Sequence, residues 1–348
     1  MTDWWDPLGR QALGWLLERE PANPGPRFLA LRDLLERPSD DEERQAAQRD
    51  VMAGGPVPAV LAAQRPEGWW EHPGAGYMPK YRSTVWSLSY LAQLGADGAD
   101  SRVARAAEYV LSHGLNPLGA FAFEANSSMT LLCLNGNLGA ALLDLGWGAD
   151  LRLQGALECL ARLVTGEGVA PTGEKTASLR YLKSATCGPG FCCSANNSLP
   201  CAWGAVKVML ALGKVPPAAR SPLVQEAIQV GLGFLLGRDP AVADYPAGYS
   251  DKPSRSWFQF GFPVFYVTDV LQNLEALTTL GCAGDPRLAH ALEWLRGKRD
   301  AAGRWKMEYS YAGKTHADVE AKGQPSKWVT LRALRVLRVL KRQAEADE

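Results

Sequence analysis

The sequence predicts an all-α fold built as an array of helical hairpins. An apolar helix that stops at Leu-Gly, then a polar turn, then a second helix, recurs four times along the chain. Almost no strand pattern of any length interrupts these units. Such hairpins bury their apolar faces only against one another, so a chain that repeats them commits to a helical array. At 348 residues the chain exceeds one average domain, but a closed repeat array holds that length as a single unit.

The elements follow in order. Residues 1–50 are helical but do not follow the hairpin pattern. Within them Arg27–Leu35 has helical spacing of apolar residues, and Pro38–Arg44 reads as a turn and an N-cap. This stretch is expected to be a cap over one open face of the array, which then runs over residues 51–342 and ends in a short polar tail, 343–348. The first apolar helix is Trp86–Gly95, the second Gly136–Gly146, the third Trp203–Gly213 and the fourth Asp269–Gly281. A last helix, Trp328–Leu340, begins a fifth unit without its second half. The stops at Gly95, Gly146, Gly213 and Gly281 are 51, 67 and 68 residues apart. The two longer gaps hold irregular inserts, Thr165–Pro200 and Asp239–Pro263. The first is rich in Gly, Ser, Asn and Cys; the second carries Tyr245, Tyr249, Trp257, Phe258, Phe260 and Phe262. Long loops in a compact domain tend to carry function.

Composition narrows the function classes. Hydrophobic residues make up 47% and charged residues 21%, as in a packed soluble protein, and 37 basic residues balance 37 acidic ones. That balance gives no electrostatic footprint for nucleic acid. The opening MTDWWDPLGR lacks a basic n-region and an apolar h-region. No apolar run approaches the roughly 18 residues of a spanning helix. Seven cysteines, an odd number, then point to free or metal-bound thiols in a reducing cytoplasm.

A second element recurs at unit ends. Gln64–Trp70 and Lys298–Trp305 share a polar residue, a Gly turn and a Trp, and His113–Phe121 is a looser copy. These segments resemble the QW motifs of triterpene cyclases. With the Leu-Gly hairpins, they make residues 50–342 similar to the prenyltransferase and squalene-cyclase repeat superfamily. Lys80–Trp86, Cys133–Asn137 and Gly323–Leu334 also resemble a bacterial group described only as prenyltransferase/squalene oxidase repeat proteins. The resemblance implies an α/α toroid, a double ring of helices around a central cavity that in relatives accepts an isoprenoid chain. Two family signatures are missing. The Asp-x-Asp-Asp acid of squalene–hopene-type cyclases is absent, and the spaced Asp, Cys and His zinc set of protein prenyltransferases does not map onto this chain. No Asp-rich magnesium motif is present either, which counts against metal-assisted ionisation of a diphosphate.

Four constellations remain. Counting twelve residues back from the later Leu-Gly stops gives Leu134, Cys201 and Asp269, with Cys133 one residue off. Cys133, Cys201 and Asp269 are therefore expected at one level, the N-terminal ends of adjacent inner helices. Asp269 is either a plain helix cap or a cavity acid. Cys187, Cys192, Cys193 and Cys201 form a thiol cluster whose spacing matches no standard zinc finger. They are either a metal or thiolate site, with Cys133, Cys192, Cys201 and His316 as the candidate zinc ligands, or inert packing. Asp318 and Glu320, in a loop before the last helix, are either acid–base groups or solvated partners of Lys322 and Lys327. Trp86, Trp203, Trp257, Phe262, Tyr266 and Trp328 are either core or the walls of a cavity whose faces would stabilise a carbocation.

Three functions follow as expectations. The first is a terpene-cyclase-like enzyme that protonates an isoprenoid with Asp269, Asp318 or Glu320. The second is zinc-dependent prenyl transfer or thiol chemistry at a Cys/Asp site. The third is a non-catalytic isoprenoid-binding protein. In each the partner is an apolar isoprenoid-type molecule. Peripheral membrane contact would rest on an exposed apolar patch, since no basic amphipathic helix is present.

Overall fold

The computed structural model of the chain describes residues 6–124 and 129–347. It is all-α, and five helices line up side by side: α5 (Thr84–Leu94), α7 (Leu132–Asp144), α9 (Ala202–Lys214), α11 (Val270–Thr279) and α13 (Lys327–Asp347). Each packs on the next in that order. Outside them lie α6 (Ser101–His113), α8 (Leu151–Thr165), α10 (Pro222–Leu236) and α12 (Ala289–Gly297), against α5, α7, α9 and α11 in turn. The hairpins expected from the Leu-Gly stops are therefore pairs of inner and outer helices.

The N-terminal stretch packs against both the last and the first inner helix. It supplies α1 (Pro7–Leu17), α2 (Gly25–Leu29) with its π-helical continuation Ala30–Leu34, α3 (Glu42–Ala53) and α4 (Pro56–Ala62). Helix α13 packs on α1, α2 and the π turn, and α4 packs on α5, so this stretch bridges the last inner helix to the first. Leu29, Arg32 and Asp33 reach the central cavity alongside side chains of α5, α7, α9, α11 and α13. The ring has six inner walls. Residues 343–347 of the expected tail are helical, since α13 continues to Asp347.

Local chemistry explains how each pair is joined. Three of the four outer helices open on a repeated Asp-x-Arg, while α10 opens on Ser221. Asp100 caps α6, Asp150 caps α8 and Asp285 caps the turn before α12. Each accepts from the amide of the Arg two residues on and pairs with its guanidinium, at 2.7, 2.7 and 2.6 Å. The two Trp motifs match contact for contact. Trp70 Nε1 donates to the Val60 carbonyl of α4 at 2.8 Å, and Trp305 Nε1 to the Leu295 carbonyl of α12 at 2.8 Å. Their own amides donate to Thr84 of α5 and Thr330 of α13, which ties each outer helix to the inner helix that follows. Phe121, the looser copy, donates its amide to Asn135 of α7 instead. Helices α7 and α9 cross closely because Gly136 has no side chain; a Cβ there would lie 2.4 Å from the Lys207 carbonyl carbon. Two short parallel strands, β1 (Gly261–Phe262) and β2 (Tyr309–Ser310), pair beside α13. Among the described residues no helix is long and apolar enough to cross a membrane.

Candidate functional site

The two irregular inserts meet at the N-terminal ends of α7 and α9. Asn196 joins them: its Nδ2 donates to the carbonyls of Pro200 (2.8 Å) and Pro246 (3.0 Å), and its Oδ1 accepts from the Gly248 amide at 3.0 Å. Between the inserts and these helix ends is a mouth cavity of about 660 Å³. Tyr77, Phe123, Trp203, Tyr245, Trp257 and Tyr266 wall it, with Leu131, Leu132 and Met129. Lys80 is the only cationic side chain in the wall among the described residues, and no carboxylate is there. Its ammonium lies 4.9 Å from the Tyr266 ring centre, a cation–π contact. Four exposed apolar side chains, Met78, Leu199, Val242 and Tyr249, stand on or beside the loops that form this mouth.

The same wall carries four thiols, Cys133, Cys187, Cys193 and Cys201. All are free. Cys193 stands in the wall with Cys187 and Cys201, and its carbonyl accepts from the amides of Asn196 at 3.0 Å and Ser198 at 2.9 Å, which holds the turn there. The neighbouring Cys193 sulfur, then burial, push Cys187 and Cys201 up. Burial raises Cys133 to about 11.

A second cavity, about 500 Å³, lies inside the ring and has charged side chains in its wall. Lys207 of α9 lines it, 1% exposed, with Nζ donating to Thr268 Oγ1 (2.9 Å), the Val267 carbonyl (3.3 Å) and Gln272 Oε1. Burial, with the nearby Arg332 charge, pulls its pKa down to about 7. Arg332 of α13 is equally buried. It pairs with Asp269 at 3.1 Å and Glu275 at 2.8 Å and donates to the Gly261 carbonyl at 2.8 Å.

The expected site residues therefore divide. Cys133 lies in the first turn of α7, and Cys201 and Asp269 cap α9 and α11, so the twelve-residue register does place them at one level. Asp269 is a cap and an ion-pair partner: both oxygens accept, from the Gln272 amide at 2.6 Å and from Arg332. Asp318 is exposed and accepts from the Gly313 amide. Glu320 accepts from Lys327 N at 2.8 Å, Ser326 Oγ and Asn23 Nδ2, at the start of α13 beside Glu20. Burial raises its pKa, but it lines neither large cavity. Of the aromatics, Trp203, Trp257 and Tyr266 line the mouth cavity, while Phe262 and Trp328, stacked 4.1 Å apart, line the central one. Trp86 is buried core against Tyr77 and Phe265.

The expected zinc quartet does not assemble. Among the described residues no group of three or more His, Cys, Asp or Glu is arranged to hold a metal ion. His316 Nε2 is engaged with the Arg82 carbonyl at 2.7 Å, and Cys192 is outside the cavity wall, its backbone bonded to Gly188. Sequence reasoning missed Lys207 and Arg332; Lys207, a cation between Val206 and Val208 in an apolar stretch of α9, was a visible signal, whereas Arg332 is one of several basic residues of α13 and was not. It also gave Lys80 no role.

No family model matches the chain, and no curated protein matches it. Among solved structures it is similar to a protein from Actinoplanes, at 15% identity over 96% of this chain and 98% of that one, with a TM-score of 0.46. It is also similar to the type II terpene cyclase MstE from Scytonema, at 15% identity over 82% of this chain and 96% of that one, TM-score 0.32. A variant of that cyclase in complex with its substrate geranylgeranyl dihydroxybenzoate matches at 15% identity over 82% and 94%, TM-score 0.32.

Proposed function

We propose that this chain binds an apolar isoprenoid-type molecule in the mouth cavity and acts on it with cysteine thiols. One observation carries the reading: the cavity wall is aromatic, aliphatic and thiol-bearing, and it holds no carboxylate among the described residues. Its volume is that of a small-molecule site. The exposed apolar rim offers such a molecule, or a lipid surface carrying it, an approach with little polar surface to desolvate.

Cyclisation started by a carboxylic acid is not part of this proposal. Asp269 is saturated as an acceptor, and Asp318 and Glu320 lie outside the cavity. The Tyr and Trp faces would still favour a cationic or electron-poor centre in the ligand.

The test is a titration with geranylacetone, an isoprenoid ketone, read by tryptophan fluorescence. Trp203 and Trp257 line the cavity, so binding quenches them. Ala247→Phe, at an exposed wall position, narrows the mouth and should weaken binding at least roughly tenfold, the effect of about 1.4 kcal/mol. Saturable quenching that Ala247→Phe leaves untouched would place the ligand elsewhere.

A further inference from the structure

We propose that the mouth cavity takes an amphipathic monocarboxylic acid, with its apolar chain against the aromatic wall and its carboxylate at Lys80. The inference rests on the reading that this cavity takes an apolar ligand, and adds the head group that such a ligand carries.

The charge in the wall selects the head group. Among the described residues Lys80 is its one cationic side chain, and no carboxylate stands in the wall with it. The ammonium has a defined place. It lies 4.9 Å from the Tyr266 ring centre and 6.0 Å from that of Tyr77, and both rings belong to the wall. The first turns of α7 and α9 line the same cavity, so two helix dipoles add their positive ends to that of Lys80. Lys80 is exposed, which sets the direction of the ligand. The head group stays at the rim, partly in water, and the chain lies inward against Trp203 and Trp257.

Other head groups suit this wall less well. A neutral one would take water from the ammonium and set no counter-charge beside it. An amine would bring a second cation to the first. A diphosphate carries more negative charge than one ammonium balances, and the excess would lie against apolar surface. A single carboxylate matches the single cation, and its partial exposure spares it the full desolvation penalty of a buried pair.

The experiment compares two ligands of one skeleton. Geranylacetic acid carries a carboxylate where geranylacetone has its acetyl group. Each is titrated at about pH 7, where the carboxylate is ionised, and read by tryptophan fluorescence. Lys80→Met should weaken the acid roughly fivefold and leave the ketone within about twofold. Lys80→Arg should restore the acid. Added sodium chloride should weaken the acid on the wild type and not the ketone. Lys80 is exposed, so neither substitution threatens the fold. An acid whose affinity Lys80→Met leaves unchanged, a loss equal for acid and ketone, or a ketone that binds where the acid does not, overturns the head-group proposal and leaves the ligand reading intact. If neither compound binds, both fall together.

Discussion

Arg332 is the residue on which the inner wall depends most. It is 3% exposed and balances two carboxylates from α11, Asp269 and Glu275. Removing one member of a buried charge group strands the others, so Arg332→Met should cost about 3–5 kcal/mol in urea unfolding. Lys207 makes a different prediction. Its folded pKa is about 7 against an unfolded 10.5, so between those values the unfolded chain holds a proton that the folded one has released. Stability should therefore rise with pH across that window, by up to about 1.4 kcal/mol per unit, and Lys207→Met should remove the slope. Unfolding midpoints from pH 7 to pH 10 measure it. The sequence showed Asp269 as a helix start but not its partner. The ion pair joins residues 63 positions apart, and periodicity carries no such information.

The hairpin elements were legible because their signals are local: apolar periodicity, Leu-Gly stops and Gly-turn-Trp motifs. Gly95, at φ +81°, ends α5 in the left-handed conformation that a Leu-Gly stop implies. The Asp-x-Arg starts were equally local and went unread. The closeness of α7 to α9 was not legible, because it depends on which face of Gly136 meets Lys207. Gly136→Ala should force the two helices apart and cost about 1–3 kcal/mol. Gly155→Ala, on the exposed face of α8 with open space around it, should instead stabilise by about 0.5–1 kcal/mol. Thermal unfolding of the two variants separates a packing constraint from glycine's general cost to a helix.

At the scale of the whole molecule, the ring is closed by its first segment meeting its last helix. Trp328 donates to Asn23 at 2.9 Å, a Cβ on Gly25 would lie 2.4 Å from the Trp328 ring, and Arg335 of α13 pairs with Asp33. From its pattern alone that segment reads as a separate cap, because it is unlike the repeats and its partners lie some three hundred residues away. Closure also separates two cavities that the expected aromatic set had merged. Trp328→Ala should cost about 3–5 kcal/mol and leave geranylacetone affinity unchanged, since Trp328 lines only the central cavity. Trp203→Ala should do the reverse, with a small loss of stability and a large loss of affinity, because Trp203 is half-buried at the mouth. The most direct measurement is the fluorescence titration of geranylacetone into the wild-type, Ala247→Phe and Trp203→Ala proteins. Saturable binding to the wild type that both substitutions weaken is the expected result. No binding, or binding that neither substitution alters, would contradict the claim that the mouth cavity is the site of action.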